Sequence, residues 1–180
     1  MLTLDNAIEF VARITPQWVA GFVDGEGCIN ARWQKDTHVH SVRLTITQKN
    51  PAIIFLLYTV FPGGHISIQN NKLRHGTHTI SYHITWHGRR MLPLLEAVKD
   101  SVVIKKELVE LALEFCKHVT YPGGRSTDIE AMERERLCGL ISNINQTSET
   151  QMSFEPSLSL SEALSKVTAS SSSCGDGKEG

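Results

Sequence analysis

The chain has 180 residues, 41% of them hydrophobic, and a net charge of -1, enough for one core with a tail. No apolar run reaches the roughly 18 residues of a membrane span, and the acids in MLTLDNAIEFVARITPQ speak against a secretory signal. Cys28, Cys116, Cys138 and Cys174 are scattered without CxxC spacing, which suggests neither a disulfide framework nor a zinc site and leaves a reducing compartment as the expectation.

The first element is a helix over about 16–25, with Thr15 as cap and Pro16 in its first turn. Its sequence, WVAGFVDGEG over 18–27, is unusual. Gly21 and Gly25 each cost about 1 kcal/mol against alanine in a helix interior, and Asp24 and Glu26 sit among glycines. A lone helix followed by a glycine-rich turn would explain the glycines after Val23 but not Gly21. The period then changes from 3.6 to 2. In CINARWQ, Ile29, Ala31 and Trp33 oppose Cys28, Asn30, Arg32 and Gln34. In SVRLTITQ, Val42, Leu44 and Ile46 oppose Ser41, Arg43, Thr45 and Thr47. A helix opened by Pro51 follows (PAIIFLLYTVF), stopped by the PGG at 62–64. The strands HISIQ and TISYHITW come next, with Ile66, Ile68, Ile80, Tyr82, Ile84 and Trp86 on the apolar side. The segments 35–40 and 70–78 read as hairpin tips. Helices are expected over Arg89–Val98, over Ile104–Lys117 with Ile104 on its apolar face, and from Thr127 or Asp128 to about Asn145. From Thr147 the chain is serine-rich and poor in aromatics, a disordered tail by composition.

Charge is divided unevenly. Residues 1–106 hold 12 Lys+Arg against 7 Asp+Glu (+5), and residues 107–180 hold 6 against 12 (-6). Within 28–90 there are 8 basic residues, one acid (Asp36) and seven of the eight histidines. The four strands therefore share an apolar face and a polar, partly basic one. Water does not require acids to be absent from such a face, but phosphate does. Asn30, Arg32, Gln34, Arg43 and Gln69 are the candidate nucleic-acid contacts, with Lys35, Thr45, Lys49, Lys72, Arg74 and His83 alongside them. The pairs His38/His40 and His75/His78 lack a cysteine or carboxylate at ligand spacing and are read as loop or DNA-facing residues.

Val19-Ala20-Gly21-Phe22-Val23-Asp24-Gly25-Glu26-Gly27 resembles the signature of the LAGLIDADG homing endonucleases, and the ββαββα order after it is similar to theirs over about residues 10–145. The resemblance implies an α+β fold: a ββαββα core with an antiparallel DNA-binding sheet and extra C-terminal helices in residues 1–146, then the tail at 147–180. One motif copy implies a homodimer, with Ala20, Gly21, Asp24 and Gly25 at the interface. The small residues would let two helix copies approach closely, while Asp24 would also accept backbone N–H bonds near the helix ends.

The implied activity is metal-dependent cleavage of double-stranded DNA at a long, partly palindromic site, across the minor groove, leaving short 3′ overhangs. Glu26 stands where aspartate is more familiar and, with Gly25, would hold Mg²⁺, with Mn²⁺ as substitute. Gln48 resembles a polar residue that orients water, and Lys105 the lysine beside the scissile phosphate. The sequence departs from the pattern where an arginine is expected soon after TQK: Pro51 and Ala52 follow Asn50, and Lys49 or Lys106 could compensate. An RNA-binding maturase acting on its own intron RNA would suit the same fold, and no membrane partner is implied. An organelle, or a bacterial or archaeal cytoplasm, is the expected setting.

Overall fold

The structure, a computed structural model of the chain, describes residues 14–34, 39–72, 78–119 and 127–152. Five α-helices and four strands lie in this portion: α1 Pro16–Glu26, β1 Gly27–Gln34, β2 Val39–Gln48, α2 Pro51–Val60, β3 His65–Lys72, β4 His78–His87, α3 Leu92–Val98, α4 Lys106–Lys117 and α5 Asp128–Met152. The chain divides into a unit of residues 1–145 and a second of 146–180. Among the described residues no helix is long and apolar enough to cross a membrane.

The strands form one antiparallel sheet in the order β1-β2-β4-β3. Register converts the alternation of each strand into rows across the sheet. Ile29, Leu44 and Trp86 make one apolar row, and Gly27, Ile46, Ile84 and Ile66 make the next. Except for the half-buried Ile66, these side chains are closed off from water. The cover comes from Val19, Ala20 and Val23 of α1, Ile54 and Leu57 of α2, Leu94, Leu95 and Val98 of α3, and Val109, Ala112 and Phe115 of α4. Each buried aliphatic side chain of this kind contributes about 1.5–3 kcal/mol. The fold is therefore a sheet with helices behind and one face left open.

Local chemistry sets the boundaries. Thr15 Oγ1 accepts from the Trp18 N–H at 3.2 Å, and Pro16 occupies the first turn of α1. Gly27 ends that helix by necessity: a Cβ there would lie 2.5 Å from the Val23 carbonyl oxygen. Asn50 Oδ1 accepts from Ala52 N–H at 3.0 Å ahead of α2. The turn after α2 needs Gly63, at φ 97°, and Gly64, where a Cβ would meet Ile84 and Trp86 at under 3 Å. Trp86 Nε1 donates to Phe61 O at 2.9 Å, so the buried indole carries no unmet donor.

Four sequence expectations are corrected. α4 begins at Lys106, not Ile104, and Ile104 is 79% exposed instead of lying on the apolar face. α5 runs to Met152, beyond Asn145; Thr127 opens it through a reciprocal capping box with Glu130, at 3.2 and 2.8 Å. Residues 39–40, 70–72 and 78 belong to strands, not to hairpin tips. Ala20 is 1% exposed in the chain's own core and has no surface to offer a second copy. The serine-rich segment beyond Met152 lies outside the described residues.

Candidate active site and nucleic-acid interface

Glu26 is the last residue of α1, and β1 starts at the next residue. Its carboxylate is exposed at the point where the helix layer gives way to the sheet. Gly21 and Gly25 lie exposed on the same helix, and a Cβ on either would meet nothing within 4 Å. α1 thus carries a bare strip that ends beside an exposed acid.

The last turn of α1 is tied to the start of α4. Asp24 Oδ2 accepts from Val103 N–H at 2.8 Å, and Oδ1 from Lys105 N–H at 2.9 Å. Burial would raise the Asp24 carboxyl. The N–H groups of Val103, Lys105 and Ile104, with the Lys105 charge, outweigh it and hold the group below its ordinary 3.8. Lys105 returns the bond: its ammonium donates to Val23 O at 3.0 Å and to Asp24 O. Both acceptors are carbonyls at the negative end of α1. Partial burial lowers the Lys105 pKa against the raising effect of Asp24, Cys28 and Glu26. An ammonium has three donors. Two are held by the helix end, and the third has no partner among the described residues.

Gln48 closes β2 opposite Tyr82 and is half-buried, on the same side of the pleat as Leu44 and Ile46. Lys49 follows it, exposed. Lys106 opens α4 and is also exposed. Among the described residues no group of three or more His, Cys, Asp or Glu could hold a metal. A single chain brings the Glu26 carboxylate and the Gly25 carbonyl, an all-oxygen donor set suited to a hard cation such as Mg²⁺ and incomplete without further oxygens.

The open face of the sheet is ordered by the same register. Asn30, Arg43 and His87 form one row, and Cys28, Thr45, Thr85 and His65 the next. His83 stands between Thr47 and Ser67, and Gln69 faces Ser81. Arg32 pairs with Ser41, whose hydroxyl donates to Arg32 O at 3.3 Å. Thr45 and Thr85 share a hydroxyl bond of 3.0 Å. His83 is held at both nitrogens, by Thr47 Oγ1 and Ser81 Oγ, each at 2.9 Å. The charge on this face is positive. The His87 pKa is lowered first by loss of water around the ring, then by the charges of Arg43, His65 and Arg90.

Alternation places Thr47, Ser81, Thr85 and His65 on the polar side, but only register shows which of them meet and adds His87 beside Arg43; Ser81 is itself buried. Gln34 and Lys72 are placed by backbone pairing alone, with Val39 and His78. Lys35, Arg74, His38 and His75 lie outside the described residues. His40 packs edge-on against Trp33 with centroids 4.4 Å apart, and His78 Nδ1 bonds Asn70 Oδ1 at 3.1 Å. A cavity of about 560 Å³ opens beside this Trp33–His40 pair against Ala131, Met132, Arg134 and Glu135 of α5. No residue of the acidic helix end lines it.

No protein-family model and no curated protein matches the chain. Among solved structures it is similar to the homing endonuclease I-CvuI in complex with its target Sro1.3 in the presence of 2 mM Ca. The identity is 19%, the coverage 93% of this chain and 97% of that one, and the TM-score 0.55. A second I-CvuI structure has the I-CreI target C1221 in the presence of 2 mM Mg, with the DNA not cleaved. It gives 23% identity, 71% and 80% coverage, and the same TM-score of 0.55. The fold is that of the LAGLIDADG homing endonucleases.

Proposed function

From that fold as premise, we propose that the chain is a sequence-specific, divalent-metal-dependent DNA endonuclease that acts as a homodimer through α1. One observation carries the reading: an exposed carboxylate, Glu26, ends a helix whose open side is bare at Gly21 and Gly25. A single acid is a poor site for a hard cation. A two-fold axis along the bare strip brings a second Glu26 and a second Gly25 carbonyl, and the oxygen set becomes adequate. Bound there, Mg²⁺ or Mn²⁺ would polarise the scissile phosphate and neutralise the leaving oxygen.

The chain's own groups do the rest. The positive face holds the duplex by its phosphates, while Asn30, Arg32, Arg43 and Gln69 reach for base edges. The free donor of Lys105 lies close to Glu26 and answers charge that develops on the phosphate. Gln48, at the end of β2, can orient water. Two copies of the sheet, each following about one turn of major groove, imply a partly palindromic site of roughly 20 bp.

The test is cleavage of plasmid libraries by wild type and Glu26→Gln side by side. Wild type should cut one site with Mg²⁺ and bind without turnover with Ca²⁺, whose longer bonds and looser coordination misplace the water. Glu26→Gln should bind and fail to cut. Equal rates for the two proteins, or full activity in EDTA, would remove Glu26 from the chemistry. Tight binding to intron RNA with no DNA cleavage would favour the maturase reading instead.

A further inference from the structure

We infer that Asn145, on the C-terminal helix and outside any expected interface, is a positioning residue that sets the direction in which Asn30 presents its amide to DNA. The inference rests on the endonuclease reading for its consequence and on geometry alone for its cause. β1 is an edge strand of the sheet. Asn145 Nδ2 donates to Ile29 O at 2.9 Å and also reaches Asn30 Oδ1 at 3.4 Å. Asn30 Nδ2 in turn donates to Cys28 Sγ at 3.1 Å.

The order of donors and acceptors along this chain follows from its first link. A backbone carbonyl only accepts, so Asn145 must turn its NH₂ toward Ile29. The same NH₂ faces Asn30, so Asn30 must answer with its oxygen. Its own NH₂ is then left for the Cys28 sulfur, a weak acceptor. A free asparagine amide can turn over and exchange donor for acceptor, but this one is pinned. Asparagine reads adenine by donating to N7 and accepting from the N6 amine at once. A fixed order of donor and acceptor along the groove selects one orientation of the base pair. Arg43 and His87 lie in the same row but have no link to Asn145 among the bonds described.

The experiment uses the full chain and two readouts. In the DNA-free protein, the Asn30 side-chain NH₂ resonances are compared between wild type and Asn145→Ala. They should move, while the backbone amide spectrum elsewhere is retained; unmoved resonances would overturn the inference. On DNA, cleavage is measured on targets carrying every single base-pair change. Asn145→Ala should lose about tenfold in discrimination at one position per half-site and leave the positions read by Arg43 unchanged. Asn145→Asp keeps the size but can only accept. Asn30 must then turn its NH₂ toward it, and the preferred base pair at that position should change, not merely broaden. A purely structural role for Asn145 would weaken all positions equally, and that result would also sink the idea. Failure of the endonuclease reading looks different: wild type then cuts no DNA, and the resonance comparison alone decides the matter. If wild type cuts and Asn30→Ala leaves every preference intact, the inference fails while the nuclease stands.

Discussion

Asp24 and Glu26 are two residues apart and have opposite employment. Asp24 is turned inward and captures N–H groups of residues 103–105; Glu26 is left exposed. Their separation into brace and exposed acid is a matter of what lies within reach, not of acidity in the sequence. Asp24→Asn tests the brace. The amide keeps one acceptor and turns an NH₂ toward a backbone N–H, so one donor loses its partner. The cost expected is about 1–3 kcal/mol, seen as a lower denaturant midpoint, with a further loss of cutting because Lys105 is released from its backbone anchor. An unchanged midpoint would show that the 103–105 turn holds itself. This pairing was only half legible. The sequence reading assigned Asp24 to backbone N–H groups near helix ends, but the groups it meets are 79 and 81 positions away. No local pattern announces them. Val103 and Lys105 send their N–H groups to Asp24 just ahead of α4, and Ile104 lies outside the helix.

At the scale of elements, period-2 alternation holds where helices close one side of a strand and fails toward the strand ends, where Trp33, Ile68 and Ile80, expected on the apolar side, are exposed. Ile29, Leu44 and Trp86, read separately as apolar positions, fall into a single row. The Asn50–Pro51 start of α2 and the Thr127 cap of α5 were legible for local reasons, since both caps act within three residues. Ala20 was misassigned because a nine-residue motif shows which residues are small but not which side of the helix is covered. Gly21 and Gly25 are on the open side, and that gives a test with two signs. A Cβ added at Gly21 meets nothing within 4 Å among the described residues. Gly21→Leu should therefore leave the protomer folded, and even favour it by up to about 1 kcal/mol, because glycine is a poor helix former. The same side chain should hold two α1 helices apart. Sedimentation should show a folded monomer, and cleavage should vanish. A Gly21→Leu protein that still sediments as a dimer, or a wild type that is monomeric and active at micromolar concentration, would exclude α1 as the interface.

At the scale of the whole molecule, Arg32 and Arg43 stand on the open face of the sheet and the apolar rows lie on the helix-covered face, and pH should act on folding and on DNA binding in opposite directions. His40 and His87 both have pKa values lowered from 6.5. For His40 the main cause is burial, helped by Arg134 and opposed by Glu135. For His87 it is loss of water, then the Arg43, His65 and Arg90 charges. Near pH 6 the unfolded chain therefore binds more protons than the folded one, and stability rises with pH. As pH drops below 6.5 and toward the lowered folded values, stability should fall, while Asp24 stays ionised until far more acid conditions. DNA reverses the sign at His87. A phosphate beside Arg43 and Arg90 would offset the positive charge that helps hold the His87 pKa down, so binding should take up protons. Affinity for the target should increase between pH 7.5 and 5.5 over the same range in which the melting temperature of the free protein declines. The cleavage-deficient Glu26→Gln chain allows both to be measured without turnover, by fluorescence anisotropy and thermal denaturation. His87→Gln should flatten the binding dependence and reduce the stability one, leaving the His40 share, and added salt should diminish the binding one, because phosphate contacts are screened and released counterions compete. If affinity is flat across that range, or rises equally in the His87→Gln protein, then His87 does not face phosphate and the Asn30–Arg43–His87 row is not where the backbone lies.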